Sequence, residues 1–329
     1  MSDIPPQYPH FTPLDIRYMD MFEVALGALE PLNSEFSFGY LFAWRKPLNL
    51  EFCLFEKKFI AIRGELNGEK FFFPPLNLDF PSENDRAGWY EASLVSIFKI
   101  GAQRIICADN ILASVAVNSS GKNIPEVSVS PQREFFDYVY SAGELSALKG
   151  DRYQSKRNFV NRFNKKYGDN FRYQILDGTK EGKEMVSRCI LLHDKWNKMK
   201  LTDVGKSSVP SFFAASLEDE DIAARELLEN FYQLKLCGCA LLAGEEVAAF
   251  SIGEHLNKDT VVVHIEKADP GFVGSYQMMV KLGAATIKDM GYKYINKEED
   301  LGIPNLRKTK TSYHPLRLVE KYEIRMKHI

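Results

Sequence analysis

The sequence predicts an α+β protein built of two similar units, each a mixed sheet flanked by helices. The main observation is that one order of elements occurs twice: a strand meander, a helix, a glycine and a short strand that ends in acidic residues. The second is length, because 329 residues suit one large domain or two of ordinary size. The halves share no clear residue identity, so the repeat lies in their organisation.

The first predicted unit, residues 1–145, opens with a helix and continues as strands rich in aromatic residues. Two turns divide these strands, one at 56–58 and one at Asn67–Gly68, a dipeptide typical of hairpins. Gly101 ends the second helix, as glycine often does. The predicted elements are a helix at 14–32, alternating strand sequence at 38–45 (FGYLFAWR) and 50–76, a helix at 86–101 and a strand at 103–109.

The second predicted unit, residues 146–329, begins with a basic helix and then repeats the pattern. The stretch 204–221 reads as an irregular loop between two helices. Turns at Gly244–Glu245 and 257–259 divide a three-stranded meander. The predicted elements are helices at 152–168, 181–200 and 223–235, a strand at 171–178, the meander at 237–269, a helix at 275–291 and a strand at 292–300.

Composition is that of an ordinary globular protein, with 26% charged residues and a net charge of -2. The five cysteines are scattered and mostly lie in apolar runs, which predicts reduced thiols and a cytoplasmic protein. Cys237-Gly-Cys239 is a poor chelate, so no metal is expected. The N-terminus does not read as a signal peptide, and no apolar run approaches the roughly 20 residues that span a bilayer.

The loop PGFVGSYQ, residues 270–277, joins a predicted strand to a predicted helix. Gly271 and Gly274 would let the backbone approach a ligand closely, and Ser275 would cap the helix. Free N–H groups at a helix start bind phosphate, so the loop is a candidate phosphate site. The alternative is a tight turn with an ordinary serine cap.

The basic helix places cations on the side that also carries its apolar residues. At 100° per residue, Lys149, Arg152 and Lys156 fall within that arc, and Arg157 lies at its edge. Buried cations need an anion, so a ligand phosphate or local carboxylates should meet them. The alternative is a helix whose first turns overhang the core. The arc's apolar members are Tyr153, Phe159, Val160, Phe163 and Tyr167.

Two predicted strand ends carry carboxylates. Alternation puts His264 and Glu266 on one face of TVVVHIEKAD, and Asn296 and Glu298 on one face of YKYINKEED. The glutamates would hold a substrate amine or accept its proton. The alternative for Glu266 is an ion pair with Lys267 or Arg307 that only fixes the loop. A core histidine bonded to backbone is the favoured interpretation of His264.

The segment 298–310 changes sign within a few residues, from Glu298, Glu299 and Asp300 to Arg307, Lys308 and Lys310. The acids end a strand, and Pro304 begins a short helix that carries the cations. An aminoacyl donor has both an ammonium and phosphates, and so does an amine acceptor beside coenzyme A, so such a segment would match either. A self-neutralising cluster of salt bridges is the alternative.

Four segments resemble one known family. They are LKGDRYQSKRNFVNRF (148–163), EKAD (266–269), GSYQ (274–277) and, most specific, NKEEDLGIPNLRKTKTSYHP (296–315). The chain resembles, over nearly its whole length, the family named for the C-terminal domain of phosphatidylglycerol lysyltransferase. The order of elements is similar to the GNAT acetyltransferase core. The resemblance therefore implies two tandem GNAT-like domains, with the donor entering where two neighbouring parallel strands splay apart.

The resemblance also implies acyl transfer. The best-known relatives move an amino acid from aminoacyl-tRNA to a lipid head group, and related tandem enzymes extend peptidoglycan peptides. Coenzyme A or acetyl-CoA is the other donor considered, although 270–276 departs from the usual pyrophosphate loop. No catalytic triad or Walker loop occurs, so direct transfer to an amine or hydroxyl acceptor, a small molecule or a lipid head group, is expected. The alternative is a non-catalytic module that binds a nucleotide-containing ligand or RNA.

We predict that the site residues all lie in the second unit. The first unit has PSENDRAGWY rather than a glycine loop before its helix, which predicts that it lacks a donor site. Glu266 and Glu298 are the predicted catalytic residues. The predicted donor-binding residues are Gly271, Phe272, Val273, Gly274, Ser275, Tyr276, Lys149, Arg152, Lys156 and Arg157. The predicted substrate-binding residues are Asn296, Asp300, Arg307 and Lys310.

Overall fold

The computed structural model describes residues 4–78, 86–204 and 217–327. The chain divides into two compact units. Unit 1 comprises Met1–Asp137, Glu299–Gly302 and Val319–Ile329, and unit 2 comprises Tyr138–Glu298 and Ile303–Leu318. The sequence places its boundary near residue 145, whereas the units divide after residue 137 and unit 1 takes two later segments. The predicted loop at 204–221 falls mostly, and the sequence at 81–85 wholly, outside the described residues.

The predicted α+β fold class, with two units that each contain a mixed sheet flanked by helices, is confirmed. The helices are α1 (Met19–Leu29), α2 (Phe38–Trp44), α3 (Arg86–Lys99), α4 (Asn110–Ser119), α5 (Ala142–Ala147), α6 (Gln154–Tyr167), α7 (Lys180–Val204), α8 (Leu217–Glu229), α9 (Ser275–Asp289) and α10 (Pro304–Thr311). The strands are β1 (Thr12–Pro13), β2 (Glu51–Phe55), β3 (Phe59–Leu66), β4 (Glu69–Phe72), β5 (Leu76–Asn77), β6 (Arg104–Ala108), β7 (Val127–Pro131), β8 (Asp137–Ser141), β9 (Phe171–Ile175), β10 (Cys237–Ala243), β11 (Glu246–Asn257), β12 (Thr260–Ala268), β13 (Tyr294–Asn296), β14 (Arg317–Val319) and β15 (Tyr322–Met326).

The sheet of unit 1 has the strand order β1-β2-β3-β4-β6-β15-β7, and β5 pairs with β3. Strands β4 and β6 are parallel, whereas β15 is antiparallel to both of its neighbours. Both predicted turns of the meander are present. Asn67 and Gly68 have positive φ angles of 53° and 77°, as the hairpin dipeptide requires.

The stretch FGYLFAWR forms helix α2, so the predicted strand is wrong. The hydroxyl of Ser37 accepts a hydrogen bond from the N–H of Tyr40 and caps the helix start. Every residue from Phe38 to Ala43 is buried. A helix that is buried on all sides needs apolar residues all round, so its sequence carries no helical periodicity.

A fully buried ion cluster ties together distant parts of unit 1. The Lys321 ammonium lies 2.6 Å from a carboxylate oxygen of Glu35 and 2.6 Å from one of Asp137. Burial alone would lower the pKa of Lys321, but the charges of Asp137 and Glu35 raise it well above its usual value. The lysine is therefore charged, and the cluster depends on all three members.

The sheet of unit 2 has the order β14-β8-β13-β12-β11-β10-β9. Strands β10, β11 and β12 form the predicted antiparallel meander, and β13 runs parallel to β12. Only three residues of β12 pair with β13, from Thr260 with Tyr294 to Val262 with Asn296. Strand β13 ends there while β12 continues to Ala268, so the two strands part at this point. Helices α5, α6 and α9 cover the buried core.

Candidate functional site

Glu266 lies on β12 beyond the point where β13 ends. Its side chain is 10% exposed, and its Oε2 atom lies 2.6 Å from the ammonium of Lys297. The hydroxyl of Tyr276 also hydrogen-bonds to this carboxylate. Lys267 was one predicted ion-pair partner of Glu266. The ammonium of Lys267 instead contacts Glu220, His193 and the ring of Trp196.

Three tyrosines gather around Glu266. Burial and then the charge of Glu266 raise the pKa of Tyr276 and of Tyr313, while burial and then Tyr138 raise that of Tyr140. All three phenols therefore keep their protons at neutral pH and act as hydrogen-bond donors. They come from β8, from the first turn of α9 and from the residues after α10.

The hydroxyl of Tyr313 is buried without a hydrogen-bond partner of normal geometry among the described residues. Burial raises the pKa of the Tyr313 hydroxyl, and the nearby side chain of Gln277 acts in the opposite direction. The hydroxyl of Tyr140, in contrast, donates to the carbonyl of Lys310 at 2.8 Å. Tyr313 is thus the member of the cluster with a free donor to offer.

The sequence did not predict three residues of this site: Lys297, Tyr140 and Tyr313. Strand alternation would place Lys297 on the face opposite Asn296 and Glu298. However, β13 ends at Asn296, so alternation no longer governs Lys297. The two tyrosines lie more than 170 residues apart in the chain, and nothing local in the sequence links them. The one available signal was that Lys297 and Tyr313 both lie in the most specific family motif, 296–315.

His264 is held between two carboxylates rather than by backbone, so the expected backbone bonding is wrong. Its Nδ1 lies 2.7 Å from Oε1 of Glu298, and its Nε2 lies 2.8 Å from Oε1 of Glu254. Burial alone would lower the pKa of His264, but the two hydrogen bonds raise it to about 10. His264 is therefore an imidazolium at neutral pH and does not act as a base.

The predicted site residues Asn296, Glu298 and Asp300 lie in different environments. Glu298 is engaged with His264, as described above. Asn296 is fully buried, and its side-chain oxygen accepts the N–H of Glu298 at 2.8 Å. Asp300 belongs to unit 1, is fully buried, and pairs with Arg133 at 3.1 Å. The carboxylates of Glu298 and Asp300 thus each meet a cation from outside the segment.

The predicted cations of the same segment lie on α10. Lys310 donates from Nζ to the carbonyls of Lys297 and Glu298, the latter at 3.2 Å. This contact holds the chain that follows β13 and thereby the position of Lys297. Arg307 is half-buried on the same helix.

The loop before α9 differs from the expected capping geometry. Gly274, with a φ of 90°, is the N-cap residue, and no side chain caps the helix. The hydroxyl of Ser275 instead donates to the carbonyl of Asp269 at 3.4 Å, so the predicted serine cap is wrong. A Cβ atom on Gly274 would collide with the carbonyl of Phe159. The absence of a side chain at Gly274 thus lets helix α6 approach the loop closely.

The cations that precede α6 and lie in its first turns have distinct partners. Lys149 is exposed, and Arg152 pairs with Glu144 at 2.7 Å. Arg157 donates to the carbonyls of Leu148 at 2.6 Å and of Gly150 at 2.5 Å. Arg152 thus meets a local carboxylate, and Arg157 holds the turn before the helix.

Lys156 is the basic residue that lies beside the tyrosine cluster. Its ammonium donates to the hydroxyl of Ser312 at 2.6 Å and lies 4.1 Å from the ring centre of Tyr313. Burial lowers the pKa of Lys156. The predicted apolar arc holds at Val160 and Phe163, which are buried, but Phe159 is 37% exposed.

Among the described residues, no helix is both long and apolar enough to cross a membrane. Within the same residues, no group of three or more His, Cys, Asp or Glu side chains is arranged to hold a metal ion.

Comparison with known proteins supplies one curated relative and several solved structures. An uncharacterised protein of Mycoplasmoides gallisepticum is 24% identical over 190 residues, which are 58% of this chain and 56% of the relative. The chain thus spans little more than half the length of that relative. A conserved protein of unknown function from Bacteroides thetaiotaomicron is 26% identical, with a TM-score of 0.79 over 98% of this chain and 100% of that one.

Two more distant structures share the fold. A C-terminal DUF2156 domain from Agrobacterium fabrum has 12% identity and a TM-score of 0.59, over 94% of this chain and 92% of that one. L-PGS from Bacillus licheniformis has 12% identity and a TM-score of 0.55, over 91% and 95%. The model of the family "Phosphatidylglycerol lysyltransferase, C-terminal" matches residues 27–325. The resemblance seen in the sequence is confirmed: the chain belongs to the phosphatidylglycerol lysyltransferase C-terminal family.

Proposed function

We propose that this chain is an aminoacyltransferase. It moves an amino acid from an aminoacyl-tRNA-type donor to a hydroxyl or amine of a lipid head group or small molecule. The observation that carries the proposal is the parting of β12 and β13 beside Glu266, where protonated tyrosines gather around one carboxylate. The family's name, which specifies lysyl transfer to phosphatidylglycerol, supports a lysyl group and a lipid acceptor.

The proposed reaction needs a base and an oxyanion donor. The acceptor oxygen or nitrogen attacks the ester carbonyl carbon, and the bond from that carbon to the ribose oxygen breaks. Glu266 takes the acceptor proton and returns it to the departing ribose oxygen. The free hydroxyl of Tyr313 donates to the negative oxygen of the tetrahedral intermediate. Glu298 has a supporting role, because its pairing with His264 fixes the chain that follows β13.

Aminoacyl-tRNA fits the donor side better than coenzyme A or acetyl-CoA. Pyrophosphate binding at the loop before α9 would use its backbone, but α6 covers that backbone at Gly274. Lys156, beside Tyr313, and the exposed Lys149 are the cations that we assign to donor phosphates, with Arg152 reaching them when it leaves Glu144. Coenzyme A is the alternative donor, and binding measurements with both donors separate the two.

The test is transfer of radioactive lysine from lysyl-tRNA to phosphatidylglycerol vesicles and, separately, to glycerol phosphate. We expect Glu266→Gln to lower the transfer rate about 100- to 10,000-fold, as loss of a general base does. Tyr313→Phe should lower it about 100-fold with little change in KM. The control is Glu246→Gln, an exposed carboxylate on β11. Full activity of Glu266→Gln would refute the assigned roles.

A non-catalytic module that binds a nucleotide-containing ligand or RNA is the second candidate. It is favoured by the 2.6 Å ion pair in which Lys297 already holds Glu266. Thermal stabilisation by tRNA or coenzyme A, without transfer to any acceptor, would support it. A saturating ligand at 100 times its Kd adds about 2.7 kcal/mol of stability, which a melting experiment detects easily.

A further inference from the structure

We propose that one surface of unit 2 docks on an anionic lipid bilayer. We name it the α6–loop surface, and it consists of Phe159, Arg162 and Lys166 on α6 with Phe272 and Val273 on the loop before α9. This inference rests on the proposed function, because it supplies the route by which a chain reaches a lipid acceptor. It adds a partner surface that the reaction itself does not require.

Helix α6 contributes a row of three side chains, an aromatic ring followed by two cations. Phe159, Arg162 and Lys166 are three and then four residues apart, so they follow one another along one flank of α6. All three are exposed. The guanidinium of Arg162 lies 5.4 Å from the ring centre of Phe159, which agrees with this arrangement. The flank therefore presents an aromatic ring with cations beside it.

The loop extends this row with apolar residues. The backbone of Gly274 packs against the carbonyl of Phe159, which brings the loop tip next to the helix. Val273, at the tip, is 46% exposed. The ring of Phe272 lies 5.7 Å from that of Tyr167, and this contact fixes the loop on α6. Helix and loop thus form one continuous surface.

Charge complementarity identifies the partner as anionic. Helix α6 carries five basic residues and no acidic residue, and three of the five, Arg162, Lys165 and Lys166, are exposed, whereas the whole chain has a net charge of -2. Positive charge is therefore concentrated on this helix. Basic residues near an anionic bilayer each gain about 1 kcal/mol, or roughly fivefold in affinity. Exposed apolar side chains beside such cations are typical of proteins that lie on a membrane surface.

The loop tip favours a bilayer over RNA as the anionic partner. Val273 offers neither a ring on which a base could stack nor a hydrogen-bonding group. The ring of Phe272 is already packed against Tyr167. An aliphatic tip with flanking cations matches the boundary between head groups and acyl chains.

The experiment measures flotation of the full chain with vesicles of phosphatidylcholine alone or with added phosphatidylglycerol. We expect at least tenfold tighter binding to the anionic vesicles. Arg162→Ser with Lys166→Ser should weaken that binding about 25-fold, and Phe159→Ser with Val273→Ser should remove the part that persists at high salt. The matched control is Lys180→Ser with Lys288→Ser, two exposed cations on other helices of unit 2.

Three results would overturn the inference: equal binding to both kinds of vesicle, no binding, or loss of tRNA binding but not of vesicle binding in the α6–loop variants. Transfer to soluble glycerol phosphate separates this inference from the proposed function. The variant with Arg162→Ser and Lys166→Ser should keep that rate and lose only transfer to the bilayer. A chain that binds anionic vesicles but transfers to neither acceptor would refute the proposed function and leave the docking surface intact.

Discussion

Replacing His264 by glutamine tests the imidazolium that lies between Glu254 and Glu298. The folded-state pKa of His264 is about 10, above the 6.5 of an ordinary histidine. A histidine whose pKa is raised by folding stabilises the protein fully below pH 6.5, and this stabilisation is lost as pH rises towards 10. We therefore expect the loss of stability in His264→Gln to be largest near neutral pH and to shrink in alkaline solution.

The pKa difference sets the size of this effect. Each pH unit between the two pKa values removes about 1.4 kcal/mol, so the full contribution of His264 is roughly 3–5 kcal/mol. Because the side chain is only 3% exposed, solvent screening reduces this value little. Urea denaturation at pH 7.5, 8.5 and 9.5 should show the difference between wild type and variant falling by about 1.4 kcal/mol at each step.

His193 supplies the matched control. It is buried like His264, but burial and then Lys267 lower the pKa of His193 instead of raising it. It is therefore neutral in the folded and the unfolded chain above pH 7.5, and its contribution is lost only as pH falls through about 6.5. His193→Gln should thus cost the same free energy at all three alkaline pH values. An equally constant difference for His264→Gln would refute the imidazolium assignment.

Three further changes test other parts of the structure. Arg152→Ala and Lys156→Ala should weaken binding of the aminoacyl-tRNA donor, and the loss should shrink as salt rises, while the free energy of unfolding changes by less than about 1 kcal/mol. Gly274→Ala should lower that free energy by about 2 kcal/mol or more, since the backbone is left-handed and α6 leaves no room, whereas Gly283→Ala, with its nearest neighbour 3.7 Å away, should be tolerated. Lys321→Met should cost about 3–5 kcal/mol in urea denaturation because it removes the buried cation that the carboxylates of Glu35 and Asp137 share; a smaller loss than about 1 kcal/mol would contradict the buried cluster.

Much of the fold follows from patterns that are local in the sequence. The meander of β10 to β12 and the helix α9 were predictable because strand alternation, turn dipeptides and a closing glycine agree there. Helix α2 was not, since a helix buried on every side loses the periodicity that distinguishes it from a strand. Local signals also could not place β15, because its pairing with β6 and β7 joins residues about 200 positions apart.

The candidate site was predictable only in part. Glu266 could be found because it ends a strand within a recognisable motif. The contact between Glu266 and Lys297 could not be predicted. Strand β13 ends at Asn296, so strand alternation does not tell which way the side chain of Lys297 points. The sequence predicted that a ligand approaches the backbone of Gly274. In the structure, helix α6 packs closely against this backbone. A glycine in such a loop indicates that another group approaches its backbone closely, but the sequence does not show whether that group is a ligand or a helix.

The position of β15 has a consequence for how the chain is made. This strand, formed by Tyr322–Met326, lies inside the sheet of unit 1, between β6 and β7. During synthesis the first half of the chain therefore leaves the ribosome without a strand that its sheet needs. Until Tyr322–Met326 emerge, β6 and β7 each present an open edge, and such edges invite pairing with other chains. A shortened gene ending near residue 145 would make this exposed state permanent, because its product would lack β15.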